Sequence, residues 1–337
     1  MKVARIHGVD DVRLDEVKLP ELGPRDALLR IDHCGICGSD LGYIKVGGMA
    51  GPGGEPMALG HEYSAIVDRV GSEVSNVKVG MRVVMNPIAA ANNIGNGSSE
   101  SGGFCPQVLA RNVTENGVLF EIPDELPSDR AALAEPLGVG MQAVNQADVK
   151  PGQKVTVFGA GCIGMMAMVT LKYRGFEDVA IVDLSDKRLE IARALGADLT
   201  LNPSSDDVWA RLREAHGTGL LLGKVECNGS DAYIECTGNQ KVMSDILNQA
   251  KPNAHISVPA LHRETFPISL MLLMMKQLRI TGSMTYPEDF GETLELLCKV
   301  DLSPLITHKF GLDDFGEALK TAQDTFVAGK VMIEFAH

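Results

Sequence analysis

Several short stretches carry residue types that do chemistry. Residues 34–40 read CGICGSD, with two thiols three positions apart. Such a pair serves as a redox couple, as half of a structural zinc clamp, or as one metal ligand beside a bystander. Gly60-His61-Glu62 places an imidazole 24 positions after Cys37, and Ala134-Glu135-Pro136-Leu137 adds a further carboxylate. Together they offer a soft thiolate, an imidazole and one or two carboxylates, a set suited to a four-coordinate zinc with room for water or substrate. An open zinc polarises a bound hydroxyl and lowers its pKa towards about 7, so an alcohol can give up its proton at neutral pH.

A second kind of chemistry is written at Gly159-Ala160-Gly161-Cys162-Ile163-Gly164, a G-x-G-x-x-G. In its mechanism Gly159 permits a tight turn, Gly161 lets backbone approach a pyrophosphate, and Gly164 lets the following helix pack close to the preceding strand. The helix N-terminus presents free N–H groups and a positive dipole end to the phosphates. Asp183 lies 19 positions after Gly164, near the spacing of about 20 expected for the acid that hydrogen-bonds the adenosine ribose. A carboxylate there repels a 2′-phosphate and favours NAD, although Lys187 and Arg188 stand just beyond. An alkoxide beside a nicotinamide ring is ready to lose hydride, so the two motifs together point to alcohol/ketone redox chemistry.

The elements around these motifs have the required character. KVTVFGA at 154–160 is a short β-rich run that leads into the apolar CIGMMAMVTLKYRG, the strand and helix that a dinucleotide loop needs on either side. VAIVDL at 179–184 predicts a second strand, and Ser185 an N-cap for the helix DKRLEIARALGA, closed by Gly196. LTLN, AYIECTG and HISVPA supply further strands, with a helix over NQKVMSDILNQAK between the last two, and RITGSM is one more strand in the segment that starts at about 279. Strands alternating with helices imply right-handed crossovers and a parallel sheet. Before residue 140, runs such as ALLRIDHC, YSAIVDRV and MRVVMNPI alternate between turn clusters, the pattern of an all-β unit. AANNIGNGSSESGG at 90–103 predicts an exposed, flexible loop. Two amphipathic helices, PEDFGETLELLCKV and DDFGEALKTAQDT, precede a final strand in GKVMIEF.

The bulk numbers exclude other classes. A chain of 337 residues with 45% hydrophobic content can bury a substantial core in about two domains. A formal charge of −13 with no basic stripe argues against nucleic acid and anionic lipid as partners. No apolar run approaches the roughly 18 residues of a membrane span, the N-terminus lacks the pattern of a signal peptide, and the seven cysteines, apart from Cys34 and Cys37, are scattered. We therefore expect reduced thiols and a soluble, cytoplasmic protein. The apolar ISLMLLMM at 268–275 fits an interface or a buried helix equally well.

The chain resembles the zinc-dependent medium-chain dehydrogenase/reductases over essentially its full length, in particular the sorbitol, threonine, butanediol and idonate dehydrogenase branch. The residues that carry the resemblance are GICGSD at 35–40, GHEYSAIVDRVG at 60–71, AEPLGVG at 134–140, VFGAGCIG at 157–164, VDLSDKRLEIARALGAD at 182–198 and ECTG at 235–238. The resemblance implies an α/β fold in which a GroES-like β-barrel catalytic domain, residues 1–140 and 279–337, carries an inserted Rossmann domain with a doubly wound parallel sheet, residues 141–278. It implies a catalytic zinc on Cys37, His61 and Glu135, with Glu62 as an alternate or water-bridged ligand and Asp40 orienting His61. Ser39 would take the alcohol proton, and Tyr43 and Tyr286 would line the substrate pocket. On the cofactor side, Ile163, Asp183 and Arg188 match nucleotide contacts beside Gly159, Gly161, Cys162 and Gly164, while Thr237, Val258 and Met284 fall in segments that pass the nicotinamide.

Three positions depart from the family pattern. Gly42 stands where a histidine commonly passes the relayed proton to solvent. The interval from Met85 to Gly103 holds no cysteine, so one catalytic zinc and no structural zinc is expected, with Cys105 alone unable to make a second site. Thr285 replaces an arginine that binds polyols, which removes a five-donor fork from the pocket. A mild change, Ala65 in place of glycine, has no obvious chemical consequence. The expected activity is hydride transfer between NAD(H) and a secondary alcohol or diol and its ketone, in a homodimer or homotetramer. The alternatives are a non-catalytic dinucleotide-binding member of sensor or crystallin type and a metal-free quinone or enone reductase, the latter having no use for Cys37, His61 and Glu135 together.

Overall fold

A computed structural model describes residues 1–100, 102–115 and 117–336. Residues 1–135, 290–324 and from Ala328 onward form one unit, and residues 136–289 with 325–327 form the other. The strand in RITGSM, expected with the barrel segment that starts at 279, joins the parallel sheet instead. Arg279–Gly282 pairs in parallel with His255–Val258, so the chain returns to the first unit only at Phe290.

The first unit is organised around strand Ala27–Gly35. Glu62–Val70, Gln107–Ala110 and Lys330–Glu334 all pair with it in antiparallel register, so segments from three distant parts of the chain meet on one strand. Ile306–Gly311 lies beyond Lys330–Glu334, while Arg82–Met85 and Leu119–Glu121 extend the other side to complete a seven-stranded sheet. Lys2–Gly8, Asp11–Glu16 and Met57–Ala58 make a second, smaller sheet. Leu29, Ile31, Val67, Val83, Val108 and Ile333 are fully buried between them, which is the alternation that the sequence displays. Pairing slips between Ile31 and His33, an irregularity just before CGICGSD of the kind that re-aims side chains.

The all-β expectation for this unit needs correction. Gly38–Val46 is a helix, and Ser128–Ala131 forms a short one. The loop at 90–103 is also tighter than expected, with Ser101 outside the described residues. Ile94 is buried in the core, Asn92 donates to the Leu109 carbonyl over 2.8 Å, and Gly103 N–H donates to the Gly60 carbonyl over 2.7 Å. A side chain on Gly102 would strike the Leu59 carbonyl at 2.2 Å. The small residues there serve close packing against the turn that carries His61.

The second unit is a six-stranded parallel sheet in the order Leu199–Leu201, Val179–Val182, Val155–Phe158, Ala232–Glu235, His255–Val258 and Arg279–Gly282. By sequence position this is 3-2-1-4-5-6, the order of a dinucleotide-binding sheet. Ser185 caps helix Asp186–Ala194 as expected, accepting from the Arg188 N–H over 3.3 Å. The antiparallel hairpin Thr218–Leu221 with Val225–Asn228 was not anticipated. Helix Leu270–Lys276, the ISLMLLMM segment, is not a buried one: Leu270, Met271 and Met274 stand exposed. No helix among the described residues is long and apolar enough to cross a membrane.

Candidate active site

In the first unit the chain leaves strand Ala27–Gly35 and turns into helix Gly38–Val46, with extended backbone at its N-cap, Cys37. Asp40, three residues on, folds its carboxylate back: Oδ2 accepts from the Cys37 N–H over 2.9 Å, and Oδ1 accepts from the Gly60 N–H over 3.3 Å. One fully buried carboxylate thus pins both the thiol-bearing turn and the turn before His61. Gly60 takes φ +93°, and a Cβ there would sit 2.9 Å from the Phe104 nitrogen and 3.0 Å from Cys34 Sγ. A side chain at Gly60 would therefore displace the neighbouring imidazole.

The result is a cluster in which ligand atoms of Cys37, His61 and Glu62 all lie within 4.8 Å of one another. His61 Nδ1 is 3.6 Å from Asp40 Oδ1, and Ser39 Oγ is 3.4 Å from His61 Nε2. Two buried polar atoms in the cluster, His61 Nδ1 and Glu62 Oε1, have no hydrogen-bond partner, although buried polar groups are normally satisfied. Burial pushes the His61 imidazole down, but the charges of Asp40, Cys37 and Glu135 outweigh it, and its pKa lies well above the ordinary value. Burial and the nearby Glu62 raise the Cys37 thiol, with His61 opposing them. Burial, opposed by His61, raises Asp40. Unmet atoms, crowded anions and a thiolate, imidazole and carboxylate in reach of one point fit a divalent, borderline-soft cation, and zinc suits this donor set.

Glu135, buried in the first turn of helix Ala134–Gln146, acts on His61 through its charge. Tyr43, half-buried on the Gly38–Val46 helix, donates to Asn96 Oδ1 over 3.4 Å. Cys34, by contrast, is packed out of reach of solvent, its pKa raised well above the ordinary value chiefly by burial, and it stands outside the metal-competent cluster. Cys105 is likewise buried, its Sγ placed to donate to the Gly102 carbonyl at 3.0 Å, and its pKa is pushed up to about 12.

The other candidate residues belong to the second unit and gather at the carboxyl ends of the parallel strands, where ligands bind open α/β sheets. Gly159 ends the first strand at φ +97°, and a Cβ there would meet Cys236 and Thr237 at 3.1 Å. A Cβ on Gly164 would lie 1.8 Å from the Gly159 carbonyl, whereas one on Gly161 would meet nothing nearer than Arg188 Nη1 at 3.9 Å. The three glycines thus separate into turn, open approach and packing, as the motif requires. Cys162 and Ile163 open helix Cys162–Tyr173. Asp183 accepts from Ala160 N–H over 2.7 Å and from Ser185 N–H over 2.8 Å, which still leaves lone pairs for a ligand hydroxyl.

Thr237 follows the fourth strand, Val258 ends the fifth, and Met284 and Thr285 follow the sixth, with Tyr286 next in the chain. Met284 is exposed, and Thr285 takes φ +66°. Sequence reasoning missed two buried partners. Glu235 receives hydrogen bonds from the Thr237 backbone and hydroxyl and lies 2.8 Å from His262 Nε2. Lys330 lies 2.6 Å from Glu62 Oε2. The available signals were the acid in ECTG and a lysine opening strand Lys330–Glu334, ahead of the apolar run VMI.

Comparison with known proteins agrees with both units. The family described as "Alcohol dehydrogenase GroES-like domain" matches residues 23–123, and that described as "Zinc-binding dehydrogenase" matches residues 162–299. The chain is 33% identical to sorbitol dehydrogenase of Homo sapiens over 331 residues, covering 94% of this chain and 91% of the relative. It is 31% identical to (R,R)-butanediol dehydrogenase of Neisseria gonorrhoeae over 338 residues, covering 93% of each. The crystal structure of 2R,3R-butanediol dehydrogenase from Bacillus subtilis superposes with a TM-score of 0.84 at 28% identity, covering 99% of each chain.

Proposed function

Since this chain belongs to the zinc-dependent medium-chain dehydrogenase/reductase family, we propose that it transfers hydride between NAD and a secondary alcohol or short diol and the corresponding ketone. The observation that carries this reading is the buried meeting of Cys37, His61 and Glu62, with two polar atoms left unmet. Cys37, His61 and Glu135 would hold the zinc, with Glu62 exchanging for Glu135. The chemistry that zinc supplies when bound is Lewis-acid polarisation of the substrate hydroxyl. Asp40 fixes the thiol-bearing turn and faces His61, so that donor positions are set before substrate arrives. Ser39 Oγ, beside His61, takes the hydroxyl proton. With Gly42 offering no imidazole, the outward path of that proton would be left to water and the ribose hydroxyls of a bound cofactor. Tyr43, on the helix that follows the Cys37 turn, shapes the substrate pocket.

Asp183, with lone pairs left after its two backbone contacts, receives the adenosine ribose hydroxyls and repels a 2′-phosphate, which favours NAD over NADP. Thr285, in place of a guanidinium, favours a less hydroxylated alcohol over a sugar alcohol. One zinc per chain follows from the absence of cysteine between Met85 and Gly103. The exposed Leu270, Met271 and Met274, close in sequence to the edge strand Arg279–Gly282, are where a second copy would dock in a homodimer or homotetramer. The free state of all seven cysteines suits a cytoplasmic setting.

The test is NADH formation with a panel of sugars, short diols, hydroxy acids and apolar secondary alcohols. Turnover of diols or secondary alcohols is expected, with NAD preferred to NADP, and it should vanish in Cys37→Ser and His61→Ala while NADH binding persists. Undiminished turnover in those two variants would eliminate zinc catalysis.

A further inference from the structure

Glu62 is engaged from the far end of the chain. Lys330 Nζ lies 2.6 Å from Glu62 Oε2 and donates to the Ile36 carbonyl over 3.2 Å. The two side chains are 2% and 1% exposed, while the other carboxylate oxygen, Oε1, has no hydrogen-bond partner. The strands build this pair: Gly35 stands opposite Glu62 on one side and opposite Met332 on the other. A Cβ on Gly35 would lie 2.3 Å from Glu62 Oε2 and 3.2 Å from Lys330 Cδ. The bare glycine is the space into which both charged ends fit.

A buried ion stripped of its partner is strongly unfavourable, so Glu62 without Lys330 has one remaining compensating charge in reach, a divalent cation among the Cys37 and His61 donors. With Lys330 present, half of the carboxylate is committed and its charge is offset. We propose that Lys330 is a positioning residue that keeps Glu62 an exchangeable, weakly engaged partner of the metal rather than a permanent ligand. This rests on the reading that Cys37, His61 and Glu135 hold the ion.

The test uses cobalt(II) as the probe, loaded into metal-stripped full-length protein, with the visible ligand-field spectrum and the rate of release to a chelator as readouts. Lys330→Met should alter the spectrum and slow release by about tenfold or more, the scale on which residues behind a ligand tune metal affinity. Lys330→Gln, which keeps a donor but no charge, gives a second route to the same slowing, and Lys330→Arg should stay within about twofold of the natural protein. In a Glu62→Gln background, Lys330→Met should change release by less than about twofold, because the interaction is already gone. Unchanged release and spectrum in both neutral variants, or an equal change with and without Glu62, would overturn the proposal while leaving the donor set intact. A natural protein that takes up no cobalt would overturn the donor set itself, and the proposal with it.

Discussion

The two units each bury a histidine, and the two histidines behave oppositely. His61 is 4% exposed and His216 is 5% exposed, so burial alone does not distinguish them. His216 ends helix Val208–His216 and its ring is hydrogen-bonded by neutral groups: its Nδ1 is 2.8 Å from Ser230 Oγ and 3.4 Å from Thr156 Oγ1, and Asn228 accepts from Ser230 and Tyr233. Burial, helped by the charge of Lys154, pushes its pKa down to about 4. His61 sits among Asp40, Cys37 and Glu135, which together override burial and raise it. Its Nδ1 has no hydrogen-bond partner, whereas the Nδ1 of His216 has hydroxyls within reach. A satisfied neutral network tightens a core, and an unsatisfied anionic one is prepared for a cation.

The sharpest way to break this comparison is to remove each ring. His61→Ala should lower alcohol oxidation on the order of 10³-fold or more, since several kcal/mol of transition-state stabilisation go with the metal. His216→Ala should leave kcat nearly unchanged and lower the melting temperature instead, as measured by steady-state kinetics and thermal denaturation. A comparable loss of kcat in both would show that the two sites are not different in kind.

The second effect is a pH dependence that belongs to His216. Its folded pKa of about 4 lies below the ordinary 6.5, so the unfolded chain binds the proton more readily. The stability from keeping the ring neutral is fully present above about 6.5 and is lost as pH falls from there towards about 4, at most ~3 kcal/mol. Urea unfolding at pH 7 and pH 4.5 should show a steeper loss in the natural protein than in His216→Gln.

Smaller again is Asp40→Asn, which keeps the shape of the turn but weakens its hold on His61 and should reduce zinc affinity by roughly tenfold to a hundredfold, read by competition with a chelator. The smallest effect is expected from Cys34→Ala, which removes a buried thiol outside the donor cluster. It should cost about 1 kcal/mol of stability and leave zinc content unchanged.

The contrast also explains what could be read from the sequence. The parallel sheet and the glycine loop were legible because their signals are local: strand, turn and helix fall within one short window, and the acid follows at a fixed spacing. Cys37, His61 and Glu62 could be nominated as chemistry because their residue types suit a metal. Of the support behind them, the family resemblance implied only that Asp40 orients His61, and the rest could not be read. Asp40 acts by bridging two turns, Lys330 reaches Glu62 across 268 positions, and the glycines of the 90–103 loop pass for flexibility until the Leu59–Gly60 backbone is seen against them. His216 gave no signal either, because its partners come from two other strand ends. The hairpin at 218–228 carries exposed Leu220, Leu222 and Val225, which blurs the alternation that would have marked it.

The most direct test of the zinc site is the metal content of purified protein, measured by elemental analysis alongside NADH binding. The natural chain should carry close to one zinc, and Cys37→Ser should carry almost none while binding NADH as before. A Cys37→Ser variant that retains its full zinc, or a natural chain that carries two, would contradict the site as assigned.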